Sequence, residues 1–131
     1  MRYITTEEYQ ERVNKLYESY GDMLEQAYGL CTPYGWLSTI EDMFIQLDVS
    51  LKSESLNKIR FLDIKNKYAT ARFHWAKTKQ IDKDDNQRAI EIINYYEELA
   101  STKCEVCGLP GIELIKAGYT IRLCPAHFDI Y

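Results

Sequence analysis

The sequence predicts an α+β protein of three helices and a β-hairpin, with a small metal-stapled unit at its C-terminal end. Three observations predict it. Cys104-Glu105-Val106-Cys107 is followed, sixteen residues on, by Cys124-Pro125-Ala126-His127. Apolar residues recur every three or four positions in three separate stretches, the period of a helix with one buried face. Between the second and third of these, residues 56–76 switch to alternation, the period of a strand. At 131 residues the chain is long enough for one domain with its own core. We take 1–131 as that domain, with 1–103 forming the helices and hairpin and 104–131 the metal-binding subdomain.

The first helix opens on a Thr-x-x-Glu capping box, Thr5 to Glu8, with Ile4 placed to staple against Tyr9. Its apolar face runs Tyr9, Val13, Leu16, Tyr20, Leu24 and Ala27, and Gly29 stops it. Residues 31–35 read as a loop. A second helix carries Trp36, Leu37, Ile40, Phe44 and Leu47 on one face and fades by Ser50. In residues 56–76 the alternating set is Ile59, Phe61, Ala71, Phe73 and Trp75, joined through Asn66-Lys67-Tyr68-Ala69, which reads as a β-hairpin. Asp84-Asp85-Asn86 open a third helix bearing Ile90, Ile93, Tyr96, Leu99 and Ala100, which runs on to Lys103.

Two Cys in a Cys-x-x-Cys turn can set both sulfurs on one ion, and a second turn supplies the remaining tetrahedral ligands. Cys104, Cys107, Cys124 and His127 therefore read as the ligands of one structural Zn2+. Gly108 stands where a knuckle needs a residue free to take positive φ, and Pro110-Gly111 end the turn. Residues 112–116 and 119–123 flank Ala117-Gly118, a two-residue hairpin signal. Pro125 suits the first turn of a short helix. Knuckle, hairpin and ligand-bearing helix together resemble a treble-clef zinc finger over residues 104–131. A Cys104–Cys107 redox pair leaves Cys124 and His127 without a role. A disulfide framework calls for an oxidising compartment. A catalytic zinc needs an open coordination position, and here protein supplies all four ligands.

Apolar residues at 46% and charged ones at 27% are ordinary globular values. No apolar run approaches the roughly 18 residues that cross a bilayer. Residues 1–8 lack the apolar stretch of a signal peptide, so a reducing cytoplasm is the expected compartment, and no membrane partner is expected. Eleven tyrosines suit either a polar-edged core or an aromatic interaction surface.

The net charge of −4 conceals an uneven distribution. Residues 1–57 hold four Lys/Arg against ten Asp/Glu, whereas 58–83 hold eight against two. Lys58, Arg60, Lys65, Lys67 and Arg72 concentrate on the hairpin, interleaved with Tyr68, His74 and Trp75. A basic strip with aromatics suits single-stranded nucleic acid. It equally suits a solvated hairpin face paired with the acidic first helix, and the sequence pI near 5.2 favours that reading. His74 has no second His or carboxylate motif beside it and reads as a packed or surface residue. Cys31 has no local base and reads as a quiet, partly buried thiol. The acidic pairs Glu41-Asp42 and Asp84-Asp85, with Asp82, read as helix solvation and helix starts.

The motifs Lys65-x-Lys67-Tyr68-x-x-x-Arg72-Phe73, Glu98-Leu99-Ala100-Ser101, Cys104-Glu105-x-Cys107-Gly108-x-Pro110-Gly111 and Leu123-Cys124-x-x-His127, with Gly35-Trp36 upstream, resemble a family of uncharacterised bacterial and bacteriophage proteins. The resemblance spans roughly residues 34–128. It departs at Tyr68-Ala69, where a Phe-Gly pair is expected, and at Tyr119, where a Trp is expected. It implies fold and origin, and it carries over no catalytic residue. With no catalytic constellation in view, the expected function is that of a non-enzymatic, zinc-stabilised interaction factor, phage-encoded, that binds and inhibits or redirects a host protein such as a defence component. The alternative is a nucleic-acid-binding accessory protein that uses Lys58, Arg60, Lys65, Lys67, Arg72 and Trp75.

Overall fold

The computed structural model describes residues 4–24, 30 and 32–130. Ala27, Gly29 and Cys31, which figure in the sequence reading, lie outside the described residues. Helix α1 spans Thr6–Leu24 and starts on Thr5, whose hydroxyl accepts the Glu8 amide at 3.1 Å. Its helical dihedrals break at Tyr20 (φ −132°, ψ 28°). A single 3₁₀ turn, Tyr34–Trp36, leads directly into α2, Leu37–Ser50. Then come a one-turn helix α3 (Ser53–Leu56), strands β1 (Ile59–Lys67) and β2 (Thr70–Lys77), and α4 (Lys83–Ala100). Strands β3 (Ile112–Lys116) and β4 (Tyr119–Leu123) and a 3₁₀ turn at Pro125–His127 complete the order. The α+β arrangement is as the sequence predicts, with four helices among the described residues in place of the three expected.

Two antiparallel two-stranded sheets are present, β1–β2 and β3–β4. In the first, the register shifts between Phe61 and Asp63, leaving Leu62 as the extra residue of a bulge. The bulge rephases the strand. Ile59 and Phe61 face inward before it, and Ile64 faces inward after it, although simple alternation assigns that face to Asp63. The turn residues Tyr68 and Ala69 both take positive φ, 54° and 64°. The second hairpin turns on Ala117 (51°) and Gly118 (85°), the two left-handed residues of the tight turn that matches strand twist.

Helices α1, α2 and α4 cover the inner face of β1–β2. Trp36, Leu37, Ile40, Met43, Phe44 and Leu47 are completely buried, so α2 is the spine of the core. Phe44 stacks on Tyr20 and meets the edge of Phe61, each at 5.2 Å between ring centroids. The tyrosines divide. Tyr9, Tyr17, Tyr20 and Tyr96 pack at the rim of the core, while Tyr68, Tyr95 and Tyr119 are exposed. The outer edge of β2 is capped by side chains of α4 and the residue that ends it: Ser101 Oγ accepts the Ala71 amide and Glu97 accepts that of Phe73, both at 2.8 Å. Those bonds satisfy edge donors that would otherwise be open to another strand.

Asp85 does more than start a helix. It is buried (1% exposed) and accepts hydrogen bonds from the Lys52 amide at 3.2 Å and from Arg88 at 2.8 Å. A hydrogen bond with the Ser55 side chain, then those from Lys52 and Arg88, hold its carboxyl below the usual range despite burial. The cap of α4 is Asp82, which accepts the Asp85 amide at 2.9 Å. Glu41 also has a partner, since it ties α2 to α1 through a two-bond ion pair with Arg12. No helix among the described residues is long and apolar enough to cross a membrane.

Candidate metal centre

The knuckle forms because Gly108 takes φ +82°, letting its amide reach the Cys104 carbonyl at 2.9 Å while the Cys104 amide donates to Leu109 O at 2.6 Å. The Val106 amide points at Cys104 Sγ, 3.4 Å away, a donor that steadies a thiolate. The β3–β4 hairpin returns the chain so that Cys124 meets the knuckle, and the 3₁₀ turn after it brings His127 round, its amide on Cys124 O at 2.9 Å. The short ligand-bearing helix expected from Pro125 is this single turn of three residues.

The ligand atoms of Cys104, Cys107, Cys124 and His127 all lie within 4.8 Å of one another. Cys107 and Cys124 sulfurs are 3.7 Å apart, and His127 Nδ1 is 3.2 Å from Cys124 Sγ and 3.7 Å from Cys104 Sγ. Three of the four residues are buried and Cys107 is half-buried. A sulfur separation of 3.7 Å is far beyond the roughly 2.05 Å of a disulfide. It is the edge expected for ligands arranged tetrahedrally around one ion, so this cluster could hold a metal.

The protonation chemistry also suits a cation. Burial pushes the Cys104 thiol up, but the amides of Cys107, Cys124 and Val106, with His127, outweigh it and bring it down to about 7. Cys107 goes the other way: burial and the neighbouring Cys124 and Cys104 sulfurs outweigh the Leu109 amide and hold it up at about 11. One thiolate thus forms readily and a second is resisted by crowding. A bound cation removes that conflict.

The unit is pinned to the helical body at four points. The Gly35 amide donates to Glu105 O at 3.0 Å, and the buried Trp36 indole donates to Lys103 O at 2.9 Å. Glu105 accepts from Asn66 Nδ2 at 3.0 Å and from the Arg122 amide at 2.7 Å, with burial pushing its carboxyl up. Arg122 Nε in turn reaches Ala69 O at 3.5 Å. Gly35 is obligatory: a Cβ there would run into the Cys104 carbonyl and lie 2.7 Å from Gly108 N. The sequence flags Gly35-Trp36 only as part of the family resemblance. Its contact with the knuckle joins residues about seventy positions apart, which no local pattern reveals.

The residues expected at a nucleic-acid surface divide by face. Register pairs Lys65 with Arg72, Lys67 with Thr70, Arg60 with Ala76 and Asp63 with His74 on the face turned away from the helices. Lys58 precedes β1 and donates to Gln80 O at 3.1 Å, at the open end of the hairpin. Trp75 lies opposite Phe61 on the inner face, half-buried against the core. His74 is exposed, 3.9 Å from Asp63.

Fold and site define a small α+β protein with a C-terminal Cys₃His cluster able to hold a metal ion. Compared with protein-family models, curated proteins and solved structures, the chain has no match in any of the three. The functional reading therefore rests on its own residues.

Proposed function

We propose that this protein is a non-enzymatic interaction factor whose C-terminal unit is folded by one structural zinc and presents the partner-binding surface. Tetrahedral zinc with sulfur at about 2.3 Å and nitrogen at about 2.05 Å requires edges of about 3.8 Å between sulfurs and about 3.6 Å from sulfur to nitrogen. The sulfur–sulfur separation of 3.7 Å and the Cys104 Sγ–His127 Nδ1 separation of 3.7 Å match those edges, while the 3.2 Å between Cys124 Sγ and His127 Nδ1 is shorter than the tetrahedral edge. With four protein ligands the coordination shell is full, which suits a structural rather than a catalytic metal. We place the unit in the treble-clef class on its order of knuckle, hairpin and ligand-bearing turn.

One observation carries the interaction reading. The zinc unit turns Leu109, Ile112, Ile115, Tyr119 and Ile130 to solvent, with Ile115 79% and Tyr119 77% exposed. Register sets Ile112 and Tyr119 on one face of β3–β4 and Ile115 on the other, so both faces of this small unit offer exposed apolar side chains to a partner. A shallow cleft lined by Glu105, Lys116, Tyr119 and Ile121 lies beside the hairpin. The partner we propose is a host protein, and the phage origin implied by the motif resemblance puts defence components first among candidates. Zinc-loaded protein immobilised in nuclease-treated host lysate tests this. Wild type should retain a defined protein that Ile115→Glu/Tyr119→Glu loses at unchanged zinc content. Equal retention by that variant contradicts the reading.

A further inference from the structure

A second surface, separate from the zinc unit's apolar rim, points to a different ligand. We propose that the outer face of β1–β2 binds single-stranded nucleic acid, with Arg60, Lys65, Lys67 and Arg72 tracking phosphates and Tyr68 stacking on a base. Four cations line this face against one acid, Asp63, which sits 3.4 Å from Lys65. Lys65 and Arg72 stand directly opposite each other. Like charges in that position destabilise a sheet, and an anionic ligand spanning both would relieve the repulsion. The conflict is placed where the fold does not need it, because the inner face alone carries the core.

Shape and aromatics decide between kinds of polyanion. The ribbon extends over nine residues of β1, about 30 Å at strand rise, enough for several phosphates of an extended strand. Tyr68 stands at its tip, 75% exposed, in the left-handed region that a tyrosine rarely adopts. The exposed His74 lies among the cations on the same face. Ring faces are useful to unpaired bases and useless to a stacked duplex or an acidic peptide.

The test is fluorescence anisotropy of zinc-loaded, full-length protein on a labelled twenty-nucleotide oligo-dT, titrated at 50 to 200 mM salt. Four phosphate contacts predict a log–log salt slope of about −2.8, and Lys65→Ala/Arg72→Ala should halve it to about −1.4. That variant should also bind at least tenfold more weakly at 50 mM salt, with Lys65→Arg/Arg72→Lys restoring affinity. Tyr68→Ala should weaken binding by about tenfold and Tyr68→Phe should not. All these side chains reach solvent, and circular dichroism of each variant checks that the fold is kept. The proposal is overturned by absence of saturable binding at 50 mM salt, by tighter binding to duplex than to oligo-dT, or by equal competition from polyglutamate at matched charge.

Discussion

The helical body buries a large apolar core, whereas the C-terminal unit buries a small one built around a Cys/His cluster. In the body, Trp36, Phe44, Phe61 and a dozen aliphatic side chains vanish from solvent around α2, and their burial, at about 25 cal/mol per Å² of apolar surface, is the main favourable term. In the unit, the buried set is Cys104, Leu123 and Cys124, with Leu114, Ile121 and Phe128 half-covered, while Ile112, Ile115 and Tyr119 face water. So small a cluster cannot offset the entropy of ordering its chain. Under the proposed reading a bound zinc would supply the difference, and the Gly35 and Trp36 hydrogen bonds would convey that stability to the core. A unit folded by metal would be free to leave its apolar side chains on the surface, where Ile112, Ile115 and Tyr119 stand.

Removing the metal should separate the two regions most sharply. Chelation, or Cys104→Ser, should unfold residues 104–127 and lower global stability by more than about 4 kcal/mol at saturating zinc. Amide hydrogen exchange should show protection lost first at β3–β4 and the knuckle, then at Trp36, with the centre of α2 protected longest. Uniform loss of protection across the molecule would mean that the body has no stability of its own.

Gly35→Ala attacks the junction alone. Its methyl group must displace the knuckle backbone, so the variant should lose about 2–3 kcal/mol in denaturant melts and bind zinc more weakly. Unchanged zinc affinity would show the two regions to be independent.

Acid protonates the thiol and imidazole ligands as well, so the contribution of the body's carboxylates is read as the difference between a variant and wild type. The Asp82 carboxyl is held down by Lys52 and by the Asp85 and Asp84 amides, and that of Asp85 by Ser55, Lys52 and Arg88. A depressed carboxylate contributes its stability fully above its unfolded pKa of about 3.9 and loses it as pH falls through the lower folded value. Asp85→Asn should therefore be less stable than wild type near pH 7 and converge on it below about pH 4. Parallel stability curves across that range would contradict this reading.

The smallest effect belongs to Gly21 in α1, where a Cβ meets nothing within 4 Å. Gly21→Ala should stabilise the protein by about 0.5–1 kcal/mol in thermal melts. Set beside Gly35→Ala, it separates a glycine that is merely tolerated from one that is required.

The two regions also differ in how far the sequence reveals them. Cys104, Cys107, Cys124 and His127, and the Ala117-Gly118 turn, are legible because ligand spacing and turn chemistry are local. The helices are legible from periodicity, yet α3 is too short to show a period. The Leu62 bulge hides which residue continues the inner face. Trp75 sits among lysines in sequence and among core residues in space, because alternation sends neighbours to opposite faces. Asp85 and Glu105 look like ordinary surface acids, and only the meeting of distant segments makes the one a buried and the other a half-buried acceptor. Gly35 illustrates the same limit, since what it touches lies at the other end of the chain.

Zinc K-edge X-ray absorption of the purified protein tests the central claim most directly. One zinc per chain, with three sulfur scatterers near 2.3 Å, one nitrogen near 2.05 Å and no oxygen ligand, is the result expected of a closed structural site. A water or other oxygen in the shell, or a fully folded protein without metal, would contradict it.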